Sequence, residues 1–288
     1  MQLTTSARKH RYSFARIVHS IGTLSRTGWD AHMNQWIAET AGNIAGNMAV
    51  DIAGWEGHLS SGPRQLQAGP LSAELADGCL RSVRYGSLEI LRSVAFAVRD
   101  EQGDRCVHGS GELSLREKGD RFEVLYETAV DCGALRLAWR VRIAGSARGL
   151  GFTAWARALD GMEGGLQRGL RGGCAGLEIV YPRNALAGRS VHVEHADGSA
   201  QSTVLPEPDA LLRLSQLSAI THEPAPGLRV GCRLEGAEFE MVGQCCGGKS
   251  FFRLQPRAQS PAHSYLLTRG RALVQMASFS FAAPGAMQ

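Results

Sequence analysis

The residues best suited to chemistry lie between Thr221 and Gln244, in the run THEPAPGLRVGCRLEGAEFEMVGQ. His222 and Glu223 precede a Pro-Ala-Pro-Gly turn; a strand then runs to Glu235-Gly236 and returns carrying Glu238 and Glu240. Chemistry on a sugar or a lactone needs a proton donor and a proton acceptor beside a carbonyl or ring oxygen. A His with a Glu supplies both, because environment can drive their pKa values apart. Glu240 is the candidate base, since it sits between Phe239 and Met241 in an apolar strand. His222 or His195 is the candidate acid. Gln244, Lys249 and Arg253 follow, the two cations suited to a carboxylate or a developing oxyanion. Glu238 stands two positions from Glu240, on the same face of a regular strand. The plainer account of these residues is a solvated strand face for the two carboxylates and surface or capping roles for the histidines.

Other chemistries lack their residues. His192, Glu194 and His195 do not converge on a metal, because positions i and i+3 of a strand face opposite ways. No Gly-x-Ser-x-Gly elbow occurs. The seven cysteines, Cys79, Cys106, Cys132, Cys174, Cys232, Cys245 and Cys246, form no Cys-x-x-Cys pair and give no support to a zinc or iron-sulfur site. They read as reduced thiols of a cytoplasmic protein, with Cys245-Cys246 a plain loop pair. Gly161 to Gly176 matches neither phosphate-binding glycine pattern and reads as a flexible loop. Neither a metal nor a cofactor is expected. A net charge of +4, from 31 Lys+Arg against 27 Asp+Glu, is too weak to imply nucleic acid. No apolar run approaches the roughly 20 residues of a membrane-spanning helix. The expected partner is a small carbohydrate or sugar acid, with no nucleic acid and no membrane; the oligomeric state is open.

The elements that must position these residues are strands. Leu71 to Leu75 and Leu80 to Tyr85 alternate about Asp77-Gly78, a hairpin signal. Leu135, Leu137, Trp139, Val141 and Ile143 make the clearest alternation, with Arg136, Arg140 and Arg142 on the other face. That basic stripe reads as solvent-facing or as an anion surface. Leu211 to Leu217 reads as a single helical turn. Short strands at regular intervals, Gly-based turns and little helix point to a mostly β protein, a large antiparallel β-sandwich. Three segments are expected. Residues 1–57 form an appendage, helical or disordered, with no acidic residue before Asp30 and helical spacing from Ile37 to Ile52. Residues 58–69 form a linker and 70–288 the sandwich.

Several stretches carry a resemblance. They are Ala68 to Leu75 (AGPLSAEL), Arg84-Tyr-Gly86, Glu89 to Arg92, Val191 to Gly198 (VHVEHADG) and Leu217 to Gln244. Over about residues 66 to 254 the chain resembles the amino-terminal part of the D-apionate lactonase family, and more distantly the galactose mutarotase-like sandwiches. Glu240, Gln244 and Lys249 match the family's pattern, whereas its acidic pair and Trp-bearing loop are replaced here by Val242-Gly-Gln-Cys-Cys-Gly-Gly248. The resemblance implies a sugar-acid-handling domain that hydrolyses or binds an aldonolactone-like ligand. Two alternatives stand beside it: a non-catalytic carbohydrate-binding or assembly module, and an aldose-epimerase-like isomerase.

Overall fold

The computed structural model describes residues 53–58, 62–99, 104–106, 109, 111–132, 135–158, 174–209, 211–257 and 273–282. Among them the elements run β1 (Ala53–His58), β2 (Arg64–Ala68), β3 (Leu71–Ala76), β4 (Cys79–Tyr85), β5 (Leu88–Arg99), β6 (Glu112–Lys118), β7 (Arg121–Cys132), β8 (Leu135–Ser146), β9 (Gly149–Ala158) and β10 (Cys174–Pro182). A one-turn helix α1 (Arg183–Leu186) precedes β11 (Ser190–His195), β12 (Ala200–Val204), β13 (Arg213–Ala225), β14 (Leu228–Glu235), β15 (Phe239–Cys246), β16 (Lys249–Pro256) and β17 (Leu273–Ala282). No helix among the described residues is long and apolar enough to cross a membrane.

All the ladders are antiparallel, and they form two series of neighbours. One is β1-β6-β7-β8-β9-β17-β14-β13-β11-β12. The other is β2-β3-β4-β5-β10-β16-β15-β13. Strand β13 belongs to both. Its first residues, Arg213 to Leu217, pair with β15, and the rest pairs with β11 and β14. The change of partner falls at a bulge, where Gln216 takes φ +57. A left-handed glutamine is uncommon and marks a locally forced backbone.

The two series pack face to face. Phe96 of β5 meets Trp139 of β8 with ring centroids 5.5 Å apart, and Tyr85 of β4 meets Phe281 of β17 at 5.3 Å. The Tyr126 hydroxyl of β7 donates to Gly78 O at 2.6 Å, tying β7 to the β3–β4 turn. Period-2 patterning builds this core. In β14, Leu228, Val230, Cys232 and Leu234 are buried, while Arg229, Arg233 and Glu235 are exposed. The Asp77-Gly78 hairpin forms as its sequence signals, with φ +49 and +67.

The protein is therefore a mostly β antiparallel sandwich, as its patterning predicts. Four local expectations differ. Among the described residues the sheet starts at Ala53, inside the expected appendage, and β2 lies within the expected linker. Gln65 and Gln67 lie exposed while Leu66 and Ala68 are buried, so a segment that is polar by composition still carries a strand's alternation. Arg213 to Leu217 is strand rather than a helical turn, because Arg213, Leu214 and Leu217 pair with Val242, Met241 and Phe239 of β15. The Arg140 and Arg142 stripe is not a free anion surface. Arg142 pairs with Glu123 at 2.6 Å and Arg140 with Glu127, cross-strand neighbours on β7. Cys106 is disulfide-bonded, against the expectation of reduced thiols. The expected appendage up to Ile52 and the glycine-rich loop through residue 173 lie outside the described residues.

Candidate functional site

Glu240 sits on β15 between Phe239 and Met241, both fully buried in the core. Alternation sends Glu240 to the opposite, outer face. It is nonetheless only 5% exposed. A buried carboxylate must be paired or hydrogen-bonded, and Glu240 is both. Gln255 Nε2, directly opposite on β16, donates to its Oε1 at 3.2 Å, and Arg213 Nε of β13 lies 3.6 Å from its Oε2. Arg213 itself is well exposed. The site therefore presents a desolvated carboxylate beside a solvent-facing guanidinium.

The ladder register fixes the rest of this face. Arg253 lies opposite Val242, one step along the strand face from Glu240, with its guanidinium carbon 5.8 Å from the centre of the Phe251 ring. Gln244 lies opposite Phe251, a further step away and half-buried. Lys249 lies opposite Cys246, six residues along β15 from Glu240. At about 3.3 Å per residue that is roughly 20 Å, so Lys249 and Glu240 do not act on one small molecule. Glu238 precedes β15 and is exposed, with Arg257 at 3.9 Å.

The two histidines stand elsewhere. His222 is 3% exposed, and its ring packs edge-on to Tyr181, centroids 5.6 Å apart, inside the sandwich. Neither ring nitrogen has a hydrogen-bond partner. Burial, with the positive charge of Arg189 adding to it, lowers its pKa from 6.5 to about 4. It is a neutral core histidine at ordinary pH. His195 lies at the end of β11, opposite Leu217. Its Nδ1 is 3.0 Å from Ser215 O and its Nε2 is 3.4 Å from Gln201 Nε2. Ser215 belongs to the bulge of β13, so His195 and Glu240 flank that bulge from neighbouring strands. The structure brings Glu240, Arg253 and Gln244 to one face, sets Lys249 roughly 20 Å further along it and encloses His222 in the core.

Two members of the cluster escaped the sequence reading, Arg213 and Gln255. Both are ordinary polar residues in strands, and only the pairing of β13 and β16 with β15 brings them to Glu240.

Residues 53–283 match the family described as the D-apionate lactonase N-terminal domain. The chain belongs to this family. A D-apionate lactonase from Brucella anthropi is 35% identical over 187 residues, which is 63% of this chain and 29% of that protein. The chain thus matches less than a third of the length of that curated relative. Among solved structures, a galactose mutarotase-like protein from Lactobacillus casei superposes with a TM-score of 0.51 at 10% identity, covering 76% of this chain and all of that one. A putative aldose 1-epimerase from Escherichia coli K12 gives a TM-score of 0.49 at 14% identity, over 79% of this chain and all of that one. The Lactobacillus casei likeness shows the shared fold alone. Glu240, its partners and both histidines all fall inside the matched residues.

Proposed function

We propose that this domain binds an aldonolactone-like sugar acid on the outer face of β15 and β16. The carrying observation is Glu240: a carboxylate 5% exposed on the face turned away from the core, held by Gln255 and Arg213. Folding alone gives no reason to desolvate a carboxylate there. The name of the Brucella relative supports a sugar-acid ligand, since it acts on D-apionate lactone. The chemistry available is general-base hydrolysis. Glu240 takes the proton of a water attacking the lactone carbonyl, while Arg213 and Arg253 balance charge on the carbonyl oxygen.

Binding without turnover is the second reading, and one observation favours it. Among the described histidines, His222 is enclosed in the core, and His195 is engaged by Ser215 O and Gln201. Neither is hydrogen-bonded to Glu240, so neither stands ready to protonate the leaving oxygen. Neither His222 nor His195 faces Glu240, so these residues do not form the facing His and Glu that an aldose-epimerase-like reaction requires.

Calorimetry with D-apionate and its lactone, run beside a lactone-hydrolysis assay, tests this directly. The expected result is saturable binding that Glu240→Gln weakens about tenfold or more, the usual effect of losing a charge-assisted hydrogen bond. Turnover that also disappears in Glu240→Gln makes the domain a lactonase; binding with no turnover makes it a binding module. Absence of binding by the wild-type chain sinks the proposal.

A further inference from the structure

A second carboxylate lies in line with Glu240, two strands away. Glu178 on β10 is 9% exposed. Its neighbours Leu177 and Ile179 are fully buried in the core, so it too points to the outer face. In the β10–β16 ladder Ile179 pairs with Leu254, which puts Glu178 one step further, opposite Gln255. Gln255 pairs in turn with Glu240. Glu178, Gln255 and Glu240 thus form one row across three strands, with strand spacings of about 4.8 Å.

The next row along the same face is basic. Val180 pairs with Arg253, Arg253 with Val242, and Val242 with Arg213. The two rows are separated by two residues, roughly 6.6 Å along a strand, a span comparable with a sugar ring. Glu178 is held by Arg99 through two hydrogen bonds, Nε to Oε1 at 2.5 Å and Nη2 to Oε2 at 2.9 Å. A forked guanidinium–carboxylate contact fixes the plane of the carboxylate. Replacing such a desolvated pair by apolar side chains is commonly neutral or stabilising. Two desolvated carboxylates in one row of an outer face therefore ask for a reason other than folding.

We propose that the row Glu178–Gln255–Glu240 accepts the hydroxyl groups of a polyhydroxy monocarboxylate while the row holding Arg253 and Arg213 takes its carboxylate. The ligand-binding surface is then three strands wide, and it selects a sugar acid over the neutral sugar of the same carbon skeleton. This rests on the proposed sugar-acid site at Glu240 and extends it in width and in charge preference.

Titration calorimetry on the full chain with D-apionate, its lactone and the neutral sugar D-apiose separates the two claims. Arg213→Met and Arg253→Met are each expected to weaken D-apionate about tenfold, a larger loss than for the neutral sugar D-apiose. Glu178→Gln is expected to weaken all the ligands that bind the wild type. The double variant Arg99→Met with Glu178→Met removes both charges together, leaves no unpaired buried ion, and is expected to weaken binding equally while remaining folded by circular dichroism. Wild-type binding that Glu240→Gln abolishes but both Glu178 variants leave intact would overturn the three-strand surface and leave the Glu240 site standing. Equal losses for charged and neutral ligands in the arginine variants overturn the charge preference. No binding to the wild type removes both proposals.

Discussion

At the scale of single residues, burial assigns opposite roles to groups that look alike in sequence. Glu240 and His222 are both ionisable residues in apolar strands, and both are buried. Glu240 is paired; His222 has no partner for either ring nitrogen. A group whose folded pKa is depressed below its unfolded value binds a proton in the unfolded chain first. His222 titrates near 4 in the folded protein against 6.5 ordinarily. Above pH 6.5 it is neutral in both states and costs nothing. As the pH falls from 6.5 to 4, protonation favours the unfolded chain, and the folded state loses about 3 kcal/mol. Chemical denaturation followed between pH 7 and 4 should show this loss, and His222→Phe should flatten the profile across that window. An unchanged slope in the variant would place the acid sensitivity elsewhere. The core placement of His222 was readable in principle. It is in phase with Ile220 in Ala219 to Glu223, and period-2 alternation puts both on the buried face. The catalytic appeal of a His-Glu pair obscured that phase. Glu240 stood out correctly, as an acid flanked by Phe239 and Met241, but its partners Arg213 and Gln255 lie 27 residues before and 15 after it, a distance that only ladder register bridges.

At the scale of elements, β15 beyond the site is held by β16 on one edge and by a loop on the other. Gly243 N donates to Leu212 O at 3.1 Å, and the Asp209 carboxylate accepts from the amides of Leu211 and Leu212 at 2.9 and 3.0 Å. Arg183 of α1 pairs with Glu207 in the same loop. The loop lies so close to β15 that a Cβ on Gly243 would stand 2.6 Å from the Asp209 amide nitrogen, and it would also collide with the Asp209 carbonyl oxygen. The obstacle is backbone, which cannot swing aside as a side chain end can. Gly243→Ala is expected to cost about 1–3 kcal/mol in denaturant unfolding, with weaker ligand binding because Gln244 and Glu240 share the displaced strand. A stability within 0.3 kcal/mol of wild type, about the error of such comparisons, would show that the loop yields freely. Hairpins joined by Asp-Gly were legible because their turn chemistry is local. The bulge of β13 was not, since nothing in Leu214-Ser-Gln-Leu217 announces a left-handed glutamine; it follows from one strand serving two sets of neighbours.

At the scale of the whole described molecule, the sandwich was legible from alternation and spacing, whereas its amino-terminal boundary was not. Composition put a linker at 58–69, yet β1 pairs with β6 from Ala53 to His58 and β2 pairs with β3. We expect removal of residues 1–69, which takes away β1 and β2, to give a melting temperature more than about 5 °C below that after removal of residues 1–51, since one kcal/mol moves a domain of this size by a few degrees. Equal melting temperatures for the two truncations would restore the linker reading. Strand β17 carries a different consequence. It lies between β9 and β14, pairing with both, although it is made after every other described strand. During synthesis β9 and β14 each wait with an open edge until residue 282 has left the ribosome. Folding of that half of the sandwich is therefore a late closure built on long-range pairing, which is intrinsically slow and leaves unpaired edges exposed to other chains.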